Sequence, residues 1–303
     1  MRLSQIRAIH SPSKAEFAAT GICQPGGQIM RLGISTSLNE PNPKRWADRM
    51  CEMGLKSVVF PVDSNAPEEV IDGFCNEAKA HDLLIAEVGI WRNAISPNET
   101  ERVKNLEYSI NQLKLADRVG AKCCVNVAGS TGAVWDGGYR ENFSRETFDK
   151  TVKMVQTVID EANPQNTFFT LEPMPWMFPS GPDEYLELIE AVNRERFAVH
   201  MDIINITSTP KRYFFHNEFL DEVFDKLGDR IKSCHLKDTK LLPGYTFQLK
   251  ECACGEGDFN IEHYVERINR IDPEMPLIIE HLGSDEEYAE STKYVMSRLG
   301  IQQ

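Results

Sequence analysis

The chain has no apolar run approaching the roughly 20 residues that a membrane-spanning helix requires. Its opening segment, MRLSQIRAIHSPSKAEF, also lacks the continuous apolar core of a signal peptide. A cytoplasmic protein free of the membrane is expected. Positive charge is scarce: 33 Lys and Arg stand against 46 Asp and Glu, and a formal net charge of -13 would repel a phosphate backbone. Nucleic acid is not an expected partner. The eight cysteines lack paired metal motifs. Cys51, Cys75, Cys123, Cys124 and Cys234 sit in apolar segments and read as buried reduced thiols. The C-x-C at Cys252 and Cys254 has no second pair or nearby His to complete a zinc site. No linker or low-complexity stretch divides the 303 residues, and 41% hydrophobic with 26% charged residues is ordinary for a globular protein.

What is present is an alternation. From Arg31 onward, short apolar runs alternate with longer amphipathic stretches, the pattern of repeated βα units around a parallel sheet. Strands are predicted over 32–35, 57–60, 84–88, 123–127, 168–172, 198–202, 231–235 and 277–280, with helices such as 98–119, 145–162, 183–192 and 286–299 between them. Ser144 and Asn98 are placed to cap helices, and Gly54, Gly120 and Gly228 to follow them. Eight units without an interruption predict an α/β fold, a (β/α)8 TIM barrel forming one domain over 31–303. Residues 1–30 are read as an N-terminal extension that packs on the barrel or at a subunit interface. The segments 129–144, 203–216 and 237–260 are expected to be long binding or lid loops.

Four of the predicted strands finish on a ligand-type residue: Glu172 in TLEP, Asp202 in HMD, His235 in SCH and Glu280 in LIIE. Any one acid could simply cap the following helix. A carboxylate set among buried apolar residues is costly unless it is paired or bound to a cation, and four such ends meet at one mouth of a barrel. Three carboxylates with one imidazole form a hard, oxygen-rich donor set. That set suits Mn²⁺, with Mg²⁺ or Co²⁺ as alternatives and Zn²⁺ less well matched. Four protein ligands leave two positions of an octahedral ion for a carbonyl and an adjacent hydroxyl, which points to a carbohydrate.

At these residues the sequence resembles the xylose isomerase-like TIM barrel superfamily, in particular its sugar phosphate isomerase/epimerase group. That group includes ketose 3-epimerases, hydroxypyruvate isomerase and inosose dehydratase. The resemblance is carried by LEP at Glu172, HMDIIN at Asp202, CHLKD from Cys234 to Asp238, GEGDFN from Gly255 to Asn260 and IIEH at Glu280. It implies a metal bound by Glu172, Asp202, His235 and Glu280. It further implies a proton moved beside a carbonyl by Glu172 and Glu280 through a metal-stabilised enediolate, and a homo-oligomer, dimer or tetramer. The sequence departs from free-ketose epimerases where Phe178, Asn205 and Leu241 replace their Glu, His and Arg. Substrate contacts are therefore sought among Lys237, Asp238, Asn205, His200, Asn126, Glu251 and Trp91, with His281 and Arg92 as further candidates and Lys211 and Arg212 as a phosphate-binding option.

The resulting expectation is a metal-dependent isomerase or epimerase acting on a keto-sugar or related polyol. The alternative is a lyase or dehydratase of inosose or 3-keto-glycoside type, which shares the first proton abstraction. A DNA-repair endonuclease of the related barrel family would need several zinc ions and more than the seven histidines present.

Overall fold

The structure, a computed structural model, describes residues 31–301. The expected N-terminal extension lies outside the described residues. Barrel strands are β1 (Arg31–Ile34), β2 (Ser57–Val59), β3 (Leu84–Gly89), β4 (Cys123–Asn126), β5 (Phe168–Leu171), β6 (Phe197–Met201), β7 (Ile231–Leu236) and β10 (Pro276–Ile279). All pair in parallel, in the order β1-β10-β7-β6-β5-β4-β3-β2. Outside them run α1 (Pro43–Glu52), α2 (Glu68–Ala80), α3 (Glu99–Val119), α4 (Arg145–Ala162), α5 (Pro182–Val192), α8 (His216–Leu227), α9 (Ile261–Ile271) and α10 (Asp285–Arg298). This is the (β/α)8 barrel that the alternation predicted.

The local chemistry explains the boundaries. Asn98 and Ser144 accept hydrogen bonds from the amides of Glu101 and Thr147, so each side chain satisfies an amide left free at its helix start. Gly120 closes α3 in the left-handed conformation, φ 72°. Three of the four predicted ligand strands end one residue early: Glu172, Asp202 and Glu280 stand just beyond Leu171, Met201 and Ile279, whereas His235 lies within β7.

All three expected loops carry structure of their own, the segment 129–144 a 3-10 turn over Arg140–Phe143. The segment 203–216 holds the short helices α6 (Ile203–Ile206) and α7 (Pro210–Phe214). Segment 237–260 holds an antiparallel hairpin, β8 (Asp238–Leu241) with β9 (Leu249–Cys252). Short strands on an otherwise polar insertion give too weak a period-2 signal to stand out beside the barrel strands. Among the described residues Cys51, Cys75, Cys123, Cys124, Cys234, Cys252 and Cys254 are free thiols, with Cys51, Cys75 and Cys252 only half-buried.

Between β1 and β2 the ring is closed by the Lys56 amide donating to Leu32 O at 2.9 Å and by Ser57 Oγ donating to Arg31 O at 2.7 Å. The strands approach closely because Gly33 has no side chain. A Cβ there would lie 2.5 Å from Ser57 O and 2.6 Å from Ile278 Cδ1. Gly33→Ala is expected to lower unfolding free energy by about 1–3 kcal/mol, the usual range for overpacking a core. Urea denaturation followed by circular dichroism measures it, and an unchanged midpoint would show that the seam can relax.

Candidate metal centre

The parallel strands deliver Glu172, Asp202, His235 and Glu280 to one end of the barrel, where all are buried. One ligand atom from each lies within 4.8 Å of those of the other three. Asp202 has two tasks. Its Oδ1 accepts from the amides of Ile204 and Asn205 and so caps α6, while Oδ2 has no aligned hydrogen bond. His235 Nδ1 is likewise buried without an aligned partner, 2.7 Å from Glu280 Oε2 and 3.7 Å from Glu172 Oε2. Buried polar atoms left in this state, converging with two further carboxylates, fit a divalent cation.

Lys237 is 2% exposed, and its ammonium lies 2.7 Å from both Asp202 Oδ2 and Glu280 Oε1 and 3.1 Å from Glu251 Oε1. Burial alone would push this lysine down, but Asp202 and Glu280 hold it well above its usual value. Burial, with Glu280 and Glu172 nearby, pushes Asp202 up to about 7 against the opposing pull of Lys237. Glu280 is held well below the carboxylate range: His235 and Lys237 together outweigh its burial. The cluster is thus rich in negative charge and only partly neutralised by the protein.

Sequence reasoning missed Glu87. It lies in β3, within the run LIAEVG, and is 1% exposed. His235 Nε2 is 3.1 Å from its Oε1, and His200 Nδ1 and Ser233 Oγ lie 3.3 and 3.4 Å from its Oε2. Burial would raise it, but His235 and His200 hold it below the usual value. An acid inside an apolar strand was the available signal, because such a group must find a partner.

Above the cluster opens a cavity of about 800 Å³. Glu87, Glu172, His235 and Glu280 form the deep part. Trp91, Trp135, Trp176 and Phe247 supply aromatic walls, and Asn205, Glu251 and His281 supply polar ones.

A family model described as xylose isomerase-like TIM barrel matches residues 47–298. The chain belongs to that family. The sequence matches no curated protein. Among solved structures, a xylose isomerase-like TIM barrel protein from Mycobacterium smegmatis in complex with magnesium has 16% identity and a TM-score of 0.65, covering 90% of this chain and 97% of that one. The 3-keto-D-glucoside 4-epimerase of E. coli has 15% identity and a TM-score of 0.64, covering 88% and 99%. D-psicose 3-epimerase with D-tagatose, from Clostridium cellulolyticum, has 13% identity and a TM-score of 0.66, covering 89% and 98%. At these identities the shared property is the fold.

Among the substrate candidates, this family member brings Asn205, Glu251, Trp91 and His281 to the cavity. Asn205 Nδ2 donates to Glu172 Oε1 at 2.7 Å, and Glu251 Oε2 lies 2.9 Å from His281 Nδ1. Trp91 takes a left-handed backbone, φ 51°, and its indole Nε1 would be 2.2 Å from a Cβ at position 89, so Gly89 seats it. Lys237, His200, Asn126, Asp238 and Arg92 do not line the cavity. Lys237 lies beneath it among the carboxylates. His200 is fully buried below His235, kept neutral by burial, which pushes it down to about 4. Asn126 bonds both backbone groups of Arg92 and so holds the loop after β3. Asp238 accepts from the amides of Thr239, Gly255, Gly257 and Phe259, which uses both oxygens as a clamp on the GEGDFN turn. Lys211 and Arg212 line a separate hollow shared with Asp183, Glu184, Glu218 and Glu222, where an anion is poorly placed.

These contacts were not visible in sequence because they depend on which way each side chain leaves its strand. Asp238→Asn replaces two acceptor sites with a donor that faces other donors. A loss of about 1–3 kcal/mol in stability is expected by chemical denaturation. A divalent cation at 100 times its dissociation constant should add about 2.7 kcal/mol to unfolding. Calorimetric scans with and without EDTA check this, and Asp202→Asn should shrink the shift.

Proposed function

We propose that this chain is a divalent-metal-dependent isomerase or epimerase that moves a proton beside the carbonyl of a keto-sugar or related polyol. The observation that carries the reading is the convergence of Glu172, Asp202, His235 and Glu280 on one point, with Glu172, His235 and Glu280 lining the floor of one cavity. A bound ion, with Mn²⁺ the expected one and Mg²⁺ or Co²⁺ as alternatives, would supply charge that polarises the carbonyl. Glu172 and Glu280 stand on strand ends three places apart in the sheet order, so they approach a carbon between them from different sides. Asn205 engages one oxygen of Glu172, and Lys237 engages one oxygen of Glu280. In each carboxylate the oxygen not bound to the ion would take or return the proton. The names of the structural neighbours that are sugar epimerases support the same chemistry.

The lining also bears on charge. Among the described residues, no Lys or Arg lines this cavity, whereas Glu87, Asp136, Glu172, Glu251 and Glu280 do. A neutral sugar fits such a wall better than a phosphorylated one, and the aromatic faces suit its C–H surface.

A second reading is β-elimination, favoured by one observation. His281 lines the cavity, and its hydrogen bond to Glu251 raises it above its usual value, so it is placed to protonate a leaving group. Incubation of Mn²⁺-loaded protein with ketoses, ketose phosphates, inososes and 3-keto-glycosides in D₂O, read by NMR, separates the two. Deuterium in a recovered or isomeric neutral sugar is expected. Release of water or an aglycone would move the chain to the lyases, and no exchange with any substrate would sink both readings. Glu172→Gln and Glu280→Gln should each lower turnover by about 10²–10⁴-fold, as loss of a general acid or base does. Full turnover in either variant would remove that residue from the proton path.

A further inference from the structure

We propose that Glu87 is a positioning residue for the metal centre: its carboxylate fixes His235 in the tautomer whose Nδ1 lone pair faces Glu172, Asp202 and Glu280. The inference rests on the metal reading above and assigns a role to a side chain that lies outside the ligand set.

The geometry is specific. Strands β3 and β7 face each other across the barrel, four places apart in the sheet order, and Glu87 spans the interior between them. Its Oε1 lies 3.1 Å from His235 Nε2. The Oε2 side is met by Ser233 Oγ at 3.4 Å and His200 Nδ1 at 3.3 Å. An ionised carboxylate only accepts, so His235 Nε2 and Ser233 Oγ donate to it, while His200 Nδ1 lies beside it without an aligned hydrogen bond. A neutral imidazole carries one N–H, and an acceptor at Nε2 puts it there. Nδ1 is then left with its lone pair directed at the cluster. The His200 ring packs edge-on against His235 with centroids 4.1 Å apart, which walls the imidazole on one side. A metal-bound histidine whose second nitrogen is held by a carboxylate is both oriented and made a stronger donor.

Glutamine at this position separates charge and tautomer from packing. A carboxamide offers one acceptor and one N–H₂ group where His235 Nε2 and Ser233 Oγ both donate. When the N–H₂ group faces His235, Nε2 must accept, the proton moves to Nδ1, and the lone pair needed by the ion is lost. Glu87→Gln should therefore weaken Mn²⁺ binding by about 10–100-fold in titration calorimetry. Glu87→Asp keeps the charge and should recover part of that loss. In the Co²⁺-substituted wild type, proton NMR in H₂O should show a shifted, exchangeable ring N–H from His235 that is absent in D₂O. In Glu87→Gln this signal should move or disappear.

A merely structural role would change the unfolding midpoint of the metal-free protein and leave the affinity and the N–H signal of the folded variant alone. That outcome overturns the proposal. Two Mn²⁺ per chain in the wild type also overturns it, because Glu87, His200 and His235 would then hold a second ion. If Glu87→Gln does not fold, Ser233→Ala, which removes one donor from the same carboxylate, is read for the N–H signal, and an unshifted signal counts against the proposal. Failure of the wild type to bind any divalent ion would instead overturn the metal reading itself.

Discussion

The structure turns on the burial of negative charge at the carboxyl ends of its strands. Glu172, Asp202 and Glu280 are nearly inaccessible to water, and Glu87 lies deeper in the same barrel. Carboxylates so placed are strongly unfavourable without cations or donors. The protein supplies Lys237 and His235, yet His235 Nδ1 and Asp202 Oδ2, each close to an opposite charge, make no aligned hydrogen bond. The parallel barrel matters here because it brings strand ends from distant parts of the sequence to one mouth.

Around that cluster a set of supports fixes each member. Asp202 caps α6, which carries Asn205, and Asn205 in turn holds Glu172. The buried hydroxyl of Tyr185, on α5, lies 2.5 Å from Leu171 O, immediately before Glu172. Tyr264, on α9, reaches Met201 O and His235 O at 3.2 Å, next to or within two ligand positions. Outer helices thus reach through to the carbonyls that set where the cluster residues stand. The cluster and the barrel wall are one hydrogen-bonded unit.

The fold was legible because its signals are local and repeated: apolar runs, cap residues at Asn98 and Ser144, and the helix 145–162 all depend on near neighbours. The four cluster residues were legible for a related reason, since each interrupts an apolar strand at its end. The supports were not. Asp238 and His200 share short motifs with the cluster residues, yet one faces the backbone of a turn and the other the barrel interior. Residue spacing gives the face of a strand only when the strand is regular, and the register shift between Val199 and His200 breaks that rule. Glu87 was hidden in the middle of a strand, where its partner lies across the barrel, 148 positions away in sequence.

The hairpin of β8 and β9 is the one antiparallel pair among the described strands, and it pairs with no barrel strand. It nevertheless brings Thr239, Phe247, Leu249 and Glu251 to the cavity wall. Its base is pinned by Asp238, directly after Lys237. The carboxylate cluster and part of the cavity wall are therefore carried by physically separable parts. Exchange of the residues between Lys240 and Lys250 among relatives would alter what the cavity admits while the carboxylate floor kept its shape, so the hairpin is a natural unit of divergence for this barrel.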